Sequence, residues 1–220
     1  MAVLSLKTKP DVADLKISCD FATQRLCKPA FKSNRAMGTL AKLRSQIWAC
    51  KVPAAGQSPR EFLPEDSLDH ILNPTVITSV LSDPAFQIPS HKRESTAQIV
   101  ISEGRKVFAI LVDLRLEYAL GLLIENDCLD SGLPLNDDDL KDIPPEGARE
   151  ILRKQWDYIA YKFRSGNYLR KIQNEIILPY LRETKIGGGG FSVVYEVFIH
   201  PVHQTILPCA LPEVSATAIL

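Results

Sequence analysis

Lys185-Ile186-Gly187-Gly188-Gly189-Gly190-Phe191-Ser192-Val193-Val194-Tyr195-Glu196-Val197-Phe198-Ile199 is the stretch on which the fold turns. Downstream of the glycines, Phe191, Val193, Tyr195, Val197 and Ile199 alternate with Ser192, Val194, Glu196, Phe198 and His200. That period of two predicts a strand. Upstream, Ile176-Ile177-Leu178 and Lys185-Ile186 flank a second β-type stretch. The order strand, glycine turn, strand removes two glycine-loop chemistries. A dinucleotide fingerprint needs a helix after the glycines. A Walker A loop needs Gly-Lys-Ser or Gly-Lys-Thr at its end, and the sequence has neither. A glycine-rich hairpin remains, in which backbone N–H groups unshielded by side chains can approach phosphate oxygens.

The ten residues from Ile186 to Tyr195 resemble the glycine-rich loop of eukaryotic-type protein kinases, G-x-G-x-x-G-x-V. Gly187 and Gly189 match its first two glycines, Ser192 stands in the place of the third, and Val194 matches the valine that packs on adenine in that family. Phe191 is similar to the loop-tip aromatic, and Tyr195-Glu196-Val197 to the family's second strand. The resemblance implies ATP as cofactor, with Ile186, Gly187, Gly189, Ser192 and Val194 as its binding residues, and a function of serine/threonine kinase type. A looser similarity covers roughly residues 62–206 and is to the N-terminal region of kinase-domain proteins of filamentous fungi. It rests on Phe62-Leu63-Pro64, Arg105 to Val112, Leu133-Pro134-Leu135 and Gln155-Trp156.

The pattern breaks after the second strand. The family needs a lysine on its third strand to hold the α- and β-phosphates. The best-placed segment, Cys209-Ala210-Leu211-Pro212, has Pro212 at that position, and no lysine follows Lys185. His-Arg-Asp and Asp-Phe-Gly sequences are absent. No catalytic residue and no metal ligand is therefore assigned, and the chain reads as cut off within the N-terminal lobe. The reading is of an ATP-binding, catalytically incomplete kinase-like protein. The alternative is a non-catalytic helical interaction or regulatory module carrying a vestigial hairpin.

Outward from the hairpin, the middle of the chain is helical in pattern. Asn73-Pro74 predicts an N-cap with proline in the first turn, and Asp83-Pro84 a stop. Ala97, Val100, Ile101, Phe108, Leu111 and Val112 suit one helix from about Glu94 to Val112, weakened at Gly104. Further helices fit Leu116 to Glu125 and Gly147 to Tyr161, around an acidic loop from Asp127 to Asp142, and Pro144-Pro145 block any continuation. Ala41 to Cys50 carries Leu43, Ile47 and Leu40 on one face. The expected organisation is α+β: a basic, poorly ordered arm over 1–61 with a short helix, a helical domain over 62–175, and a partial kinase lobe over 176–220. Trp48 and Trp156 read as core or domain-contact residues.

Charge and cysteine content bound the rest. The 26 basic and 26 acidic residues cancel in the 220-residue chain. They are segregated, at a net +8 over residues 1–60 and −8 over 113–150. The balance points to no nucleic acid, and protein partners would bind through the helical domain. Five cysteines without a CxxC pair fit a reducing, intracellular compartment, cytoplasmic or nuclear. Asp113, Arg115 and Glu117 interrupt the longest apolar run, so no membrane span is expected. His200-Pro201-Val202-His203 reads as a turn after the strand, and Asp137-Asp138-Asp139 as a solvated loop.

Overall fold

The computed structural model describes residues 38–164, 172–189, 192–205 and 214–219. Among these are seven α-helices and two antiparallel sheets, an α+β composition. The chain forms two compact units. One takes in residues 38–51 and Glu65–Ile159 and is helical. The other joins Val52–Pro64 to the described residues from Ala160 onward and contains both sheets.

The helical unit is built around α5, Arg105–Leu114, in which Val107 to Asp113 are all buried. A helix apolar on every side belongs inside. Here α1 (Thr39–Ala49), α2 (Ser67–Ile71), α4 (Arg93–Glu103) and α7 (Pro145–Lys154) pack against it. Phe108 stacks on Phe86 with ring centroids 5.5 Å apart. The helix expected over 94–112 is two helices. They part at Gly104, where a Cβ would stand 3.2 Å from the Leu129 side chain. Helix α3 (Pro74–Val80) starts as its sequence dictates, with Asn73 Oδ1 accepting from Val76 N at 2.9 Å and Pro74 in the first turn. Leu116 to Glu125 divides into a 3₁₀ turn and α6 (Leu120–Glu125). Helix α7 opens on Pro145, where a missing N–H costs nothing, and carries Glu146 in its first turn and Arg153 and Lys154 in its last. Gln155 then clamps the 133–135 segment: its Oε1 accepts from Leu135 N at 2.7 Å and its Nε2 donates to Leu135 O at 3.0 Å.

The sequence partition at 61 and 175 does not describe this packing. From Gly38 the supposed arm is α1, which buries Leu40, Leu43 and Ile47. Residues 1–37 lie outside the described residues. Strands β1 (Val52–Pro53) and β2 (Glu61–Phe62) then pair as a short hairpin, Val52 opposite Phe62. Phe62, fully buried, joins Ala54 and Ile177 in one apolar cluster. A residue pair distant in sequence thus puts 52–64 with the strands, which the local pattern around Pro53, Gly56 and Pro59 does not reveal.

The larger sheet has the order β3-β4-β5, antiparallel throughout: β3 Tyr180–Gly189, β4 Ser192–Ile199, β5 Val214–Ile219. Beneath it Tyr180, Val197 and Ile199 form a buried cluster with Ala55, Phe163, Leu178 and Tyr195 against it. The root of the sheet is tied by Ala55 N donating to Tyr180 O at 2.8 Å and His200 N to Pro179 O at 2.9 Å. After β4, the turn at Pro201–His203 places both histidine rings edge-on to Phe62, at 5.8 and 5.4 Å.

Candidate functional site

The register of β3 with β4 brings the five sequence-selected residues to one end of the hairpin. Gly187 lies opposite Val194, Gly188 opposite Val193, and Gly189 opposite Ser192. Gly187 to Gly189 are therefore ladder residues, not a loop. Gly190 and Phe191 lie outside the described residues, as does the side chain of Ser192. Ile186 is the extra residue of a β-bulge between Lys185 and Gly187, and 56% of its surface is exposed. A bulge of this kind bends the strand and re-aims the side chain it carries. Val194 is half-buried.

Gly187 has two properties that bear on why it is glycine. Its φ lies outside the left-handed region, and a Cβ built on it meets nothing within 4 Å among the described residues. Neither backbone strain nor crowding by the described residues demands glycine there. Gly56 is the contrast: at φ +72° it occupies backbone that side chains disfavour.

The charged residues of the two strands are Arg182, Glu183, Lys185 and Glu196. The Arg182 guanidinium lies 3.7 Å from the centroid of the Phe198 ring, and Lys185 is exposed. Burial pushes the Tyr180 phenol up to about 12. The strand beside β4 is Val214–Ile219, which contains no lysine. The segment expected to hold that position, Cys209 to Pro212, lies outside the described residues. Among the described residues no group of three His, Cys, Asp or Glu side chains is placed to hold a metal ion, and no helix is long and apolar enough to cross a membrane.

Sequence reasoning missed the densest cluster of charged groups among the described residues. Asp113, at the end of α5, has a side chain only 2% exposed. Its Oδ2 accepts from Lys51 Nζ at 2.6 Å and from the Tyr158 hydroxyl at 2.8 Å, and its Oδ1 accepts from Trp48 Nε1. Lys51, 4% exposed, also reaches Asp157 at 3.2 Å, and Lys154 bridges Asp157 at 2.9 Å and Asp113 at 3.4 Å. Burial works against the Asp113 carboxylate, but Lys51, Trp48 and Tyr158 outweigh it and hold the group below its usual range. Burial pushes the Lys51 ammonium down, and burial together with Asp113 pushes the Tyr158 phenol well up. Trp48 is no core residue: the residue is 64% exposed while its N–H donates to buried Asp113. At the other end of α5, Asp130 accepts from Lys106 N and Val107 N at 3.0 and 2.9 Å and caps the helix. Burial raises its pKa. The only sequence signal was for Asp113, which directly follows the apolar run Val107–Val112; Asp130 sits unmarked in the acidic stretch from Asp127 to Asp142.

Comparison of the chain with protein-family models, with curated proteins and with solved structures returned no match.

Proposed function

We propose that the β3–β4 hairpin is a kinase-like, ATP-contacting glycine hairpin of serine/threonine type, and that these 220 residues bind nucleotide without transferring its phosphate. The observation that carries the reading is Gly187. The fold leaves space for a side chain there, so its absence fits a ligand that approaches the backbone. The arrangement of strands supports the same reading: an antiparallel partner lies beside β4, where the family has its lysine-bearing strand, and here that strand is Val-Ser-Ala-Thr-Ala-Ile. With no lysine after Lys185, and no His-Arg-Asp or Asp-Phe-Gly sequence, neither the phosphate charge nor the transferred proton is provided for. Backbone amides alone hold the nucleotide, so affinity is no better than about millimolar, roughly −4 kcal/mol. The reading places the protein inside the cell, in cytoplasm or nucleus, where ATP is abundant.

The test is calorimetric titration with Mg-ATP of the full chain and of Gly187→Ala, beside a phosphoryl-transfer assay. Gly187→Ala should melt at or slightly above the parent temperature, because alanine restricts the unfolded chain more than glycine does, and should lose the ATP signal. Phosphate transfer above a no-protein blank, a micromolar dissociation constant, or equal binding by the variant would each overturn the proposal.

A second reading, a helical protein-interaction module, draws on Trp48, whose exposed ring is fixed by its N–H on Asp113. Trp48→Ala should abolish partner capture while leaving ATP binding unchanged.

A further inference from the structure

We propose that Ser95 is a phosphorylation site for a basophilic serine kinase that acts on this chain from outside. Four pairs of adjacent basic residues occur in the sequence: Lys92-Arg93, Arg105-Lys106, Arg153-Lys154 and Arg170-Lys171. Only the first is followed within three residues by a hydroxyl side chain, and it is followed by two, Ser95 and Thr96. Kinases choose substrates in part by charge pattern, and cations two and three residues ahead of the acceptor suit an acidic recognition groove. The structure decides between the two hydroxyls. Thr96 is buried with Ala97 and Val100, whereas Ser95 is exposed, as are His91, Lys92 and Glu94 beside it. Ser95 Oγ donates to Lys92 O at 2.9 Å, a bond at the surface. The acceptor stands in the first turn of α4, directly after the 3₁₀ turn Ser90–Lys92, at the end of a helix that frays.

In the transfer, Ser95 Oγ bonds to the γ-phosphorus of ATP held by the kinase. The bond from that phosphorus to the bridging oxygen breaks, the hydroxyl proton passes to the kinase's base, and ADP leaves. This chain supplies the acceptor alone. The product adds about −1.5 to −2 charges to the first turn of α4. Residues 91–95, at +1 with neutral histidine, then stand at about −1. Lys92 at the N-cap is a donor with no acceptor to offer the first-turn N–H groups. The phosphate oxygens supply acceptors there, with the Lys92 ammonium three residues earlier as their counter-charge and Glu94 as the opposing one. Modification therefore tightens the start of α4 and reverses the charge of the surface it presents.

The test incubates the full chain with Mg-ATP and the purified catalytic subunit of cyclic-AMP-dependent protein kinase, a basophilic enzyme, and maps phosphates by mass spectrometry. Ser95 should become the main site, and Ser95→Ala should lose that phosphate. Lys92→Gln with Arg93→Gln should slow the uptake by about tenfold or more. Arg93 also donates to Ile88 O at 3.4 Å, so Lys92→Gln alone decides the point should the double variant not fold. Phosphate on Thr96 in place of Ser95, uptake only by chain first unfolded by heat, or a rate indifferent to the two cations would each overturn the assignment. In the phosphorylated chain, amides 93–98 should exchange about two- to fivefold more slowly at low salt, a difference that fades in about 1 M salt. Unchanged exchange would overturn the tightening of α4.

Discussion

Replacing Asp113 by alanine removes one member of the buried charge cluster and leaves the rest in place. Lys51, 4% exposed, would keep a single carboxylate partner, Asp157, at 3.2 Å. Breaking a buried pair from one side costs about 3–5 kcal/mol, whereas replacing both members by apolar groups of similar volume is often close to neutral. The double variant Lys51→Met with Asp113→Leu should therefore be far milder. Its residual cost comes from two donors that lose their acceptor. Trp48 has an exposed ring and can turn its N–H to water. The buried Tyr158 hydroxyl keeps only Ala109 O, at 3.4 Å, so roughly 1–2 kcal/mol is expected for the double variant. For a unit of about a hundred residues, at roughly 5 °C per kcal/mol, the single variant should lower the helical melting temperature by about 15–25 °C, and the double by about 5–10 °C. Thermal and urea unfolding of the full chain, followed by circular dichroism at the helical minimum, gives both values. A single-variant loss under about 1 kcal/mol, or a double variant as damaged as the single, would refute the idea that an unpaired buried ammonium sets the cost.

The carboxylates at the two ends of α5 should respond to acid in opposite senses. Asp113 has a folded pKa held below the unfolded value of 3.8, so its contribution is present above pH 3.8 and lost as pH falls through the folded value. The stability deficit of Asp113→Asn should shrink in that acid range when urea midpoints are compared. Asp130 has a folded pKa raised above 3.8, so ionising it burdens the fold as pH rises through that window, and Asp130→Asn should gain on the parent there. Phe62→Ala empties the centre of the Ala54–Ile177 cluster and the seat of both histidine rings, and should cost about 3–5 kcal/mol by urea denaturation. Gly56→Ala, at φ +72°, should cost about 1–2 kcal/mol even though the neighbouring Glu183 carboxylate can swing aside, and a cost-free substitution would contradict the strained backbone.

Elements whose signal is local could be read directly. Asn73-Pro74 wrote the start of α3, alternation wrote β4, and Leu40, Leu43 and Ile47 marked the buried face of α1. What stayed hidden depends on partners far away in sequence. Val-Ser-Ala-Thr-Ala-Ile is too small and plain to announce a strand, and its register on β4 is a tertiary fact. Lys51 looked like one more charge in a basic arm, and Asp130 like one more acid in a solvated loop. Burial gives both their meaning, and burial is not written in the residue itself. The five candidate ligand residues could be placed on one hairpin from sequence, but the extension of the ladder through Gly189 and the bulge at Ile186 could not.

The glycine run also sets the direction in which the hairpin comes apart. Glycine gives up more conformational freedom than any other residue when it enters a strand. The pairs from Gly187–Val194 to Gly189–Ser192 are thus the most expensive rungs to keep closed. At the far end, Tyr180 opposite Ile199 is buried and fastened through Ala55. Unzipping begins at the glycines and stops at the tyrosine, so the segment that fluctuates first is the one whose backbone is barest.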